Sequence, residues 1–146
     1  MKSRTKTKTR TLAAAGLCAA ACLGAATVRA RDPAADAQRQ AGLEMYRAAV
    51  RPLLEKRCVR CHGGEKIKGE FDLTTRETLL AGGESGAAID LKRPSESLVL
   101  ALLRREEKPH MPPKGDPVDQ ETIGKLAVWI ALGAPYDEAK PLADAP

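Results

Sequence analysis

Two thiols three positions apart, with an imidazole directly after the second, stand in the stretch Cys58-Val59-Arg60-Cys61-His62. One helical turn sets both sulfurs along one edge of a flat ring, where each can bond a vinyl-derived carbon. His62 then lies under the ring with its imidazole aimed at a central iron. Cys-x-x-Cys-His in this order reads as a c-type haem attachment site, with Cys58 and Cys61 as thioether anchors and His62 as proximal ligand. Two other chemistries use the same residues. Cys58, Cys61, His62 and His110 are four possible zinc ligands, and the two cysteines alone would make a disulfide in an oxidising compartment. An export signal upstream and a second iron ligand downstream favour haem.

The second ligand is sought in His110-Met111-Pro112-Pro113. A residue before proline is pushed toward extended backbone, and the second proline stiffens the chain beyond it. Met111 is therefore expected on a rigid, non-helical loop, 49 positions after His62, which is enough chain to wrap over the ring. A thioether is a soft, neutral donor that raises a haem potential. The plain alternative is that Met111 is core filler, a frequent role for methionine. Met45 precedes the haem motif on a predicted helix and is a poor candidate; His110 is the rival to Met111. The metal ligands read from the sequence are thus His62 and Met111.

The elements that must position these groups begin after the first thirty residues. Lys2, Arg4, Lys6, Lys8 and Arg10 form a basic segment, Leu12 to Ala26 is an uncharged apolar run, and Val28-Arg29-Ala30 fits the small-x-small cleavage rule. Residues 1–30 read as a secretory signal peptide cut before Arg31, so the mature chain is expected in the periplasm or otherwise exported across a bacterial inner membrane. The basic segment has no Arg-Arg pair, which favours the general secretory route over twin-arginine export. Two readings tether the chain instead. The signal stays on as an anchor, although its apolar run falls short of the ~20 residues of a membrane span, or Cys22 is lipidated.

Removing this segment changes the charge. The full chain of 146 residues carries 24 basic and 19 acidic side chains; residues 1–30 hold six of the basic ones and no acid, leaving 18 against 19. The mature chain is near neutral, and nothing argues for a nucleic-acid partner, which needs a basic patch. Cys18 and Cys22 leave with the signal, so Cys58 and Cys61 are the mature cysteines. A domain of this size buries only a modest fraction of its surface. A covalently held porphyrin would supply apolar mass to the core, and the haem-free chain is expected to fold poorly.

Along the mature chain the periodicity predicts helices. Residues 31–41 are polar and Ala-rich and read as a flexible leader. Leu43, Tyr46, Val50, Leu53 and Leu54 form one apolar face, with a kink or fresh start expected at Pro52. Thr74 with Glu77 matches a capping box for a short helix through Leu79 and Leu80, ended by Gly82-Gly83. The Gly82-Gly83-Glu84-Ser85-Gly86 run lacks a nucleotide-binding order and reads as a tight loop whose amides or Ser85 are candidate contacts for a haem carboxylate. Pro94-Ser95-Glu96 opens the next helix, with an apolar stripe of Leu98, Val99, Leu102 and Leu103. Asp119 caps the last one, whose face is Ile123, Leu126, Ala127 and Ile130, closed by Gly133 and Pro135. Trp129 lies beside that face, and residues 137–146 read as a polar, frayed tail.

These pieces resemble, in order, the planctomycete-type cytochrome c domain. The resemblance is carried by Val50-Arg51-Pro52-Leu53-Leu54, Cys58-Val59-Arg60-Cys61-His62-Gly63, Lys68-Gly69, Leu73-Thr74-Thr75-Arg76 and Gly82-Gly83-Glu84-Ser85-Gly86. It continues through Pro94-Ser95-Glu96-Ser97-Leu98, Met111-Pro112-Pro113-Lys114-Gly115 and Trp129-Ile130 with Gly133-Ala134-Pro135. It spans residues 42–136 and departs from the family pattern at Glu70, Ala87 and Asp90-Leu91-Lys92, all in loops. The resemblance implies an all-α, small cytochrome c-like domain wrapped around one covalent haem c, with thioethers at Cys58 and Cys61, His62 proximal and Met111 distal.

With both axial positions filled the iron changes oxidation state but has no open site. The expected function is single-electron transfer between transiently docked redox partner proteins, rather than catalysis. A second reading is a haem enzyme or a sensor of gas or peroxide with a labile distal ligand. A third is a zinc-bound interaction module.

Overall fold

Consecutive helical turns carry the chain from Pro33 to His62 in the computed structural model, which describes residues 32–64, 67–140 and 142. The chain separates into two units, Met1–Ala30 and Arg31–Pro146, and the description is of the second. The expected signal segment, with Cys18 and Cys22, lies outside the described residues. Among the described residues there are helices and no β-strand, so the all-α class is the one observed. None of these helices is long and apolar enough to cross a membrane.

Helix α1 (Pro33–Met45) begins where a flexible leader was expected. Residues 32–41 are exposed, so apolar periodicity could not announce the helix. Its start is set by local chemistry: Asp32 accepts the Ala34 N–H at 2.9 Å, Pro33 occupies the first turn, and alanines and glutamines come next. Burial begins at Gly42, where an added Cβ would stand 2.6 Å from Pro135 Cγ. Glycine is what lets α1 meet the segment after the last helix.

Pro52 neither breaks the run nor restarts it. It sits in the first turn of α2 (Arg51–Leu53), between two π-type turns, Tyr46–Val50 and Leu54–Cys58. In these wider turns the Arg51 N–H reaches Tyr46 O and the Val59 N–H reaches Leu54 O. Proline has no N–H to donate and crowds the turn before it; a wide turn on each side takes up the misfit within the helix. The second one ends on Cys58, and α3 (Val59–His62) completes the motif.

A 3₁₀ turn at Lys68–Glu70 precedes α4 (Arg76–Ala81). The cap of α4 is Thr75 with Thr78, one residue later than Thr74 with Glu77. Thr75 Oγ1 accepts the Thr78 N–H at 3.1 Å, while Asp72 Oδ1 holds Thr74 through its N–H and hydroxyl, both at 2.8 Å. The expected single helix from Pro94 is two pieces, a 3₁₀ turn at Pro94–Glu96 and α5 (Leu98–Arg104). Ser97 between them is extended and buried, and its hydroxyl accepts the Asp90 N–H at 3.0 Å. Helix α6 (Gln120–Ala131) starts as expected, with Asp119 accepting the Thr122 N–H at 2.8 Å.

The core gathers Tyr46, Trp129 and Tyr136, with ring centroids 4.7 to 6.0 Å apart. Trp129 donates its indole N–H to Pro135 O at 2.9 Å and Tyr136 its hydroxyl to Leu73 O at 2.9 Å. The Tyr46 hydroxyl is buried without a partner, and burial pushes it up to about 12. The tail is not frayed where it is described. Arg47 pairs with Asp137 at 2.8 Å, the Arg51 guanidinium donates to Lys140 O, and Leu142 is buried.

Arg76, part-buried, closes the end of α6. Its Nε donates to Ala134 O at 3.0 Å and its Nη2 to Gly133 O at 2.9 Å, supplying donors to carbonyls just beyond a helix C-terminus. Arg76→Ala is expected to lower the unfolding free energy by about 2 kcal/mol, the scale of hydrogen bonds from a charged group. Urea unfolding followed by helical circular dichroism measures it, and an unchanged midpoint would contradict this role.

Candidate functional site

A cavity of about 330 Å³ opens beside the Cys-x-x-Cys-His turn. Leu53, Leu54, Arg57, Cys58, Cys61 and His62 form one wall; Lys68, Gly69, Phe71 and Leu73 continue it. Leu98, Val99, Leu102 and Leu103 of α5, Leu126 and Trp129 of α6, and Pro109, Met111, Pro112 and Pro113 contribute the rest, with the Gly83–Gly86 loop. The stripe expected on α5 is thus largely a cavity wall. Leu98, Val99 and Leu102 are only partly buried, whereas Leu100, outside that stripe, is fully buried in the protein core.

His62 is held by a backbone carbonyl. Its Nδ1 lies 3.1 Å from Lys68 O. A carbonyl only accepts, so Nδ1 carries the proton and Nε2 keeps its lone pair for a metal. The Phe71 ring meets the imidazole edge-on, centroids 5.3 Å apart at 62°. Both positions are set by the short Lys68–Glu70 turn, in which Gly69 takes φ +66. The Glu84 N–H donates to Gly69 O at 2.9 Å, and an added Cβ on Gly83 would stand 2.4 Å from that oxygen, so the glycine loop braces the turn that orients His62.

Cys58 and Cys61 are free thiols, each half-buried. Burial pushes the Cys58 thiol up to about 11, against the pull of the Arg57 charge, so it stands as a neutral S–H at pH 7. Met111 is part-buried, lies on the cavity wall, and is fixed by its N–H to Leu102 O at 3.0 Å. His110, its rival, is not on that wall, and neither is Met45. Among the described residues no group of three or more His, Cys, Asp or Glu is placed to hold a metal ion, so the four-ligand zinc set with His110 is not assembled.

The donor set fits a haem. Two thiols, an imidazole with a free Nε2 and a thioether share one apolar cavity, and Ser85 and the loop amides border it as candidate contacts for a carboxylate. The sequence reading did not find the Lys68 carbonyl or the Phe71 edge. A backbone acceptor leaves no mark in a sequence, and Phe71 reads as an ordinary apolar residue.

A helical domain that sets a Cys-x-x-Cys-His turn against an apolar cavity offers what a c-type cytochrome needs. The family comparison agrees: residues 58–115 match the model of the family described as Planctomycete cytochrome C. The match runs from the first thiol past Met111 to Gly115, a shorter stretch than the resemblance over residues 42–136, and it supports a planctomycete-type cytochrome c domain there, a kind of domain that implies haem c. No curated protein and no solved structure matches the chain.

Proposed function

We propose that the protein is an exported electron carrier with one covalent haem c, ligated by His62 and Met111. The observation that carries this reading is the convergence of Cys58, Cys61, His62 and Met111 on one cavity from which His110 is excluded. The haem supplies a one-electron couple. The protein's own residues do the rest. Cys58 and Cys61 would hold the ring through thioether bonds. Lys68 O orients His62, and the leucines and Trp129 that line the cavity would keep water from the bound ring. Redox partners dock transiently through a small interface near the attachment edge.

The test is a potentiometric titration of the matured protein, with haem content measured alongside. One haem per chain and a single reversible one-electron wave, with the reduced protein slow to take up carbon monoxide, are the expected results. Rapid uptake of carbon monoxide by the wild-type protein would instead favour the second reading, a haem enzyme or sensor with a labile distal position.

A further inference from the structure

The loop that carries Met111 is tied down at two places. Near its start, the Glu106 N–H donates to Ala101 O at 2.9 Å and the Met111 N–H to Leu102 O at 3.0 Å. Near its end, the Arg57 guanidinium donates to Asp116 O. Among the described residues, no other hydrogen bond joins the stretch from Glu107 to Pro117 to the rest of the fold. Residues 113–117 are exposed. The arm runs between buried Pro112 and buried Val118, and within it the tie to the rest of the fold is the Arg57 bond.

We propose that Arg57 is a positioning residue that holds the Met111 loop against the haem-attachment helix, keeping the Met111 sulfur on the iron. This rests on the reading of Met111 as the distal ligand. Arg57 immediately precedes Cys58 and lines the same cavity. One side chain thus links the segment that fixes the ring to the loop that closes over it. The residue before Asp116 on the loop side is also conformationally special. Gly115 takes φ +79, a left-handed conformation, and a Cβ at that position would stand in ordinary contact with Arg57 Nη2, at 3.8 Å. A side chain there would be strained by that φ, and relieving the strain would shift the backbone next to Asp116 O. A carbonyl accepting from a charged guanidinium is held more strongly than one bonded to a neutral donor. Losing the tie lets the far arm of the loop move away, and the Met111–iron bond opens more often.

The experiment uses the full chain matured with haem and reads two signals. One is the far-red ferric sulfur–iron band; the other is the rate at which the reduced protein takes up carbon monoxide, which is gated by release of Met111. Arg57→Ala is expected to weaken the band and speed uptake about five-fold, the scale of one hydrogen bond, with the c-type reduced spectrum intact. Arg57→Lys, which keeps the charge and N–H donors on a shorter reach, restores most of the wild-type rate. Gly115→Ala reaches the same tie from the loop side and speeds uptake with Arg57 in place. In a Met111→Ala background, Arg57→Ala adds nothing further. Unchanged uptake in both Arg57→Ala and Gly115→Ala overturns the proposal. So does an equal acceleration by Arg57→Ala in the Met111→Ala background, which would make Arg57 a wall residue acting apart from Met111. A wild-type protein with haem but no sulfur–iron band removes Met111 ligation itself, and the role of Arg57 falls with it. A wild type that shows the band while Arg57→Ala keeps it at full strength sinks the role of Arg57 alone.

Discussion

Met111→Ala is expected to keep its haem, lose the far-red ferric band and bind carbon monoxide freely when reduced. Cys58, Cys61 and His62 lie on the other segment of the wall, so attachment through them would not depend on Met111. The loop stays anchored by a backbone bond from residue 111 to Leu102 O, and an alanine keeps that N–H. What leaves is the soft sulfur donor, which favours the reduced iron. The potential should fall on the order of 100 mV, a modest part of the ~0.8 V range that axial ligands span. His110 is off the cavity wall and is not placed to take over without rearranging the loop. A variant that keeps both the band and the wild-type potential would show that Met111 is wall packing.

The second large effect concerns stability. In Cys58→Ala/Cys61→Ala the ring cannot be held covalently, and the chain is left to close a cavity of about 330 Å³ on its own. Its leucine-lined wall is then left to water or to partial collapse, with the loss of apolar burial that the ring would supply. A small domain has a stability of only roughly 5–15 kcal/mol to set against that loss. Collapse of the wall reduces the cost but removes the site. The haem-free variant is therefore expected to lack a cooperative unfolding transition and to give a poorly dispersed amide spectrum. A sharp transition and a well-dispersed spectrum would mean that Tyr46, Trp129 and Tyr136 make a sufficient core without the ring.

The elements legible in the sequence were those whose limits are set by neighbours a few residues away. Helix α6 was visible from Asp119, its apolar face and Gly133. Thr74 and Thr75 fit the same local cap, and only the capture of Thr74 by Asp72 decides between them. Helix α1 escaped because an exposed helix has no apolar stripe. The tail escaped because its partners are distant in sequence: Arg47 holds Asp137 and Arg51 holds Lys140. The haem-attachment motif was plain from residue types alone. Its supports were not, because they are backbone carbonyls, Lys68 O for His62 and Asp116 O for Arg57. Every residue carries a carbonyl, and only the fold selects one.

The visible spectrum of the matured wild-type protein, recorded oxidised and reduced, tests the central claim most directly. A c-type reduced spectrum together with a far-red ferric sulfur–iron band is the predicted result, with Cys58 and Cys61 holding the ring and Met111 on the iron. A haem spectrum without that band would contradict His62/Met111 ligation, and the absence of any haem spectrum would contradict the account as a whole.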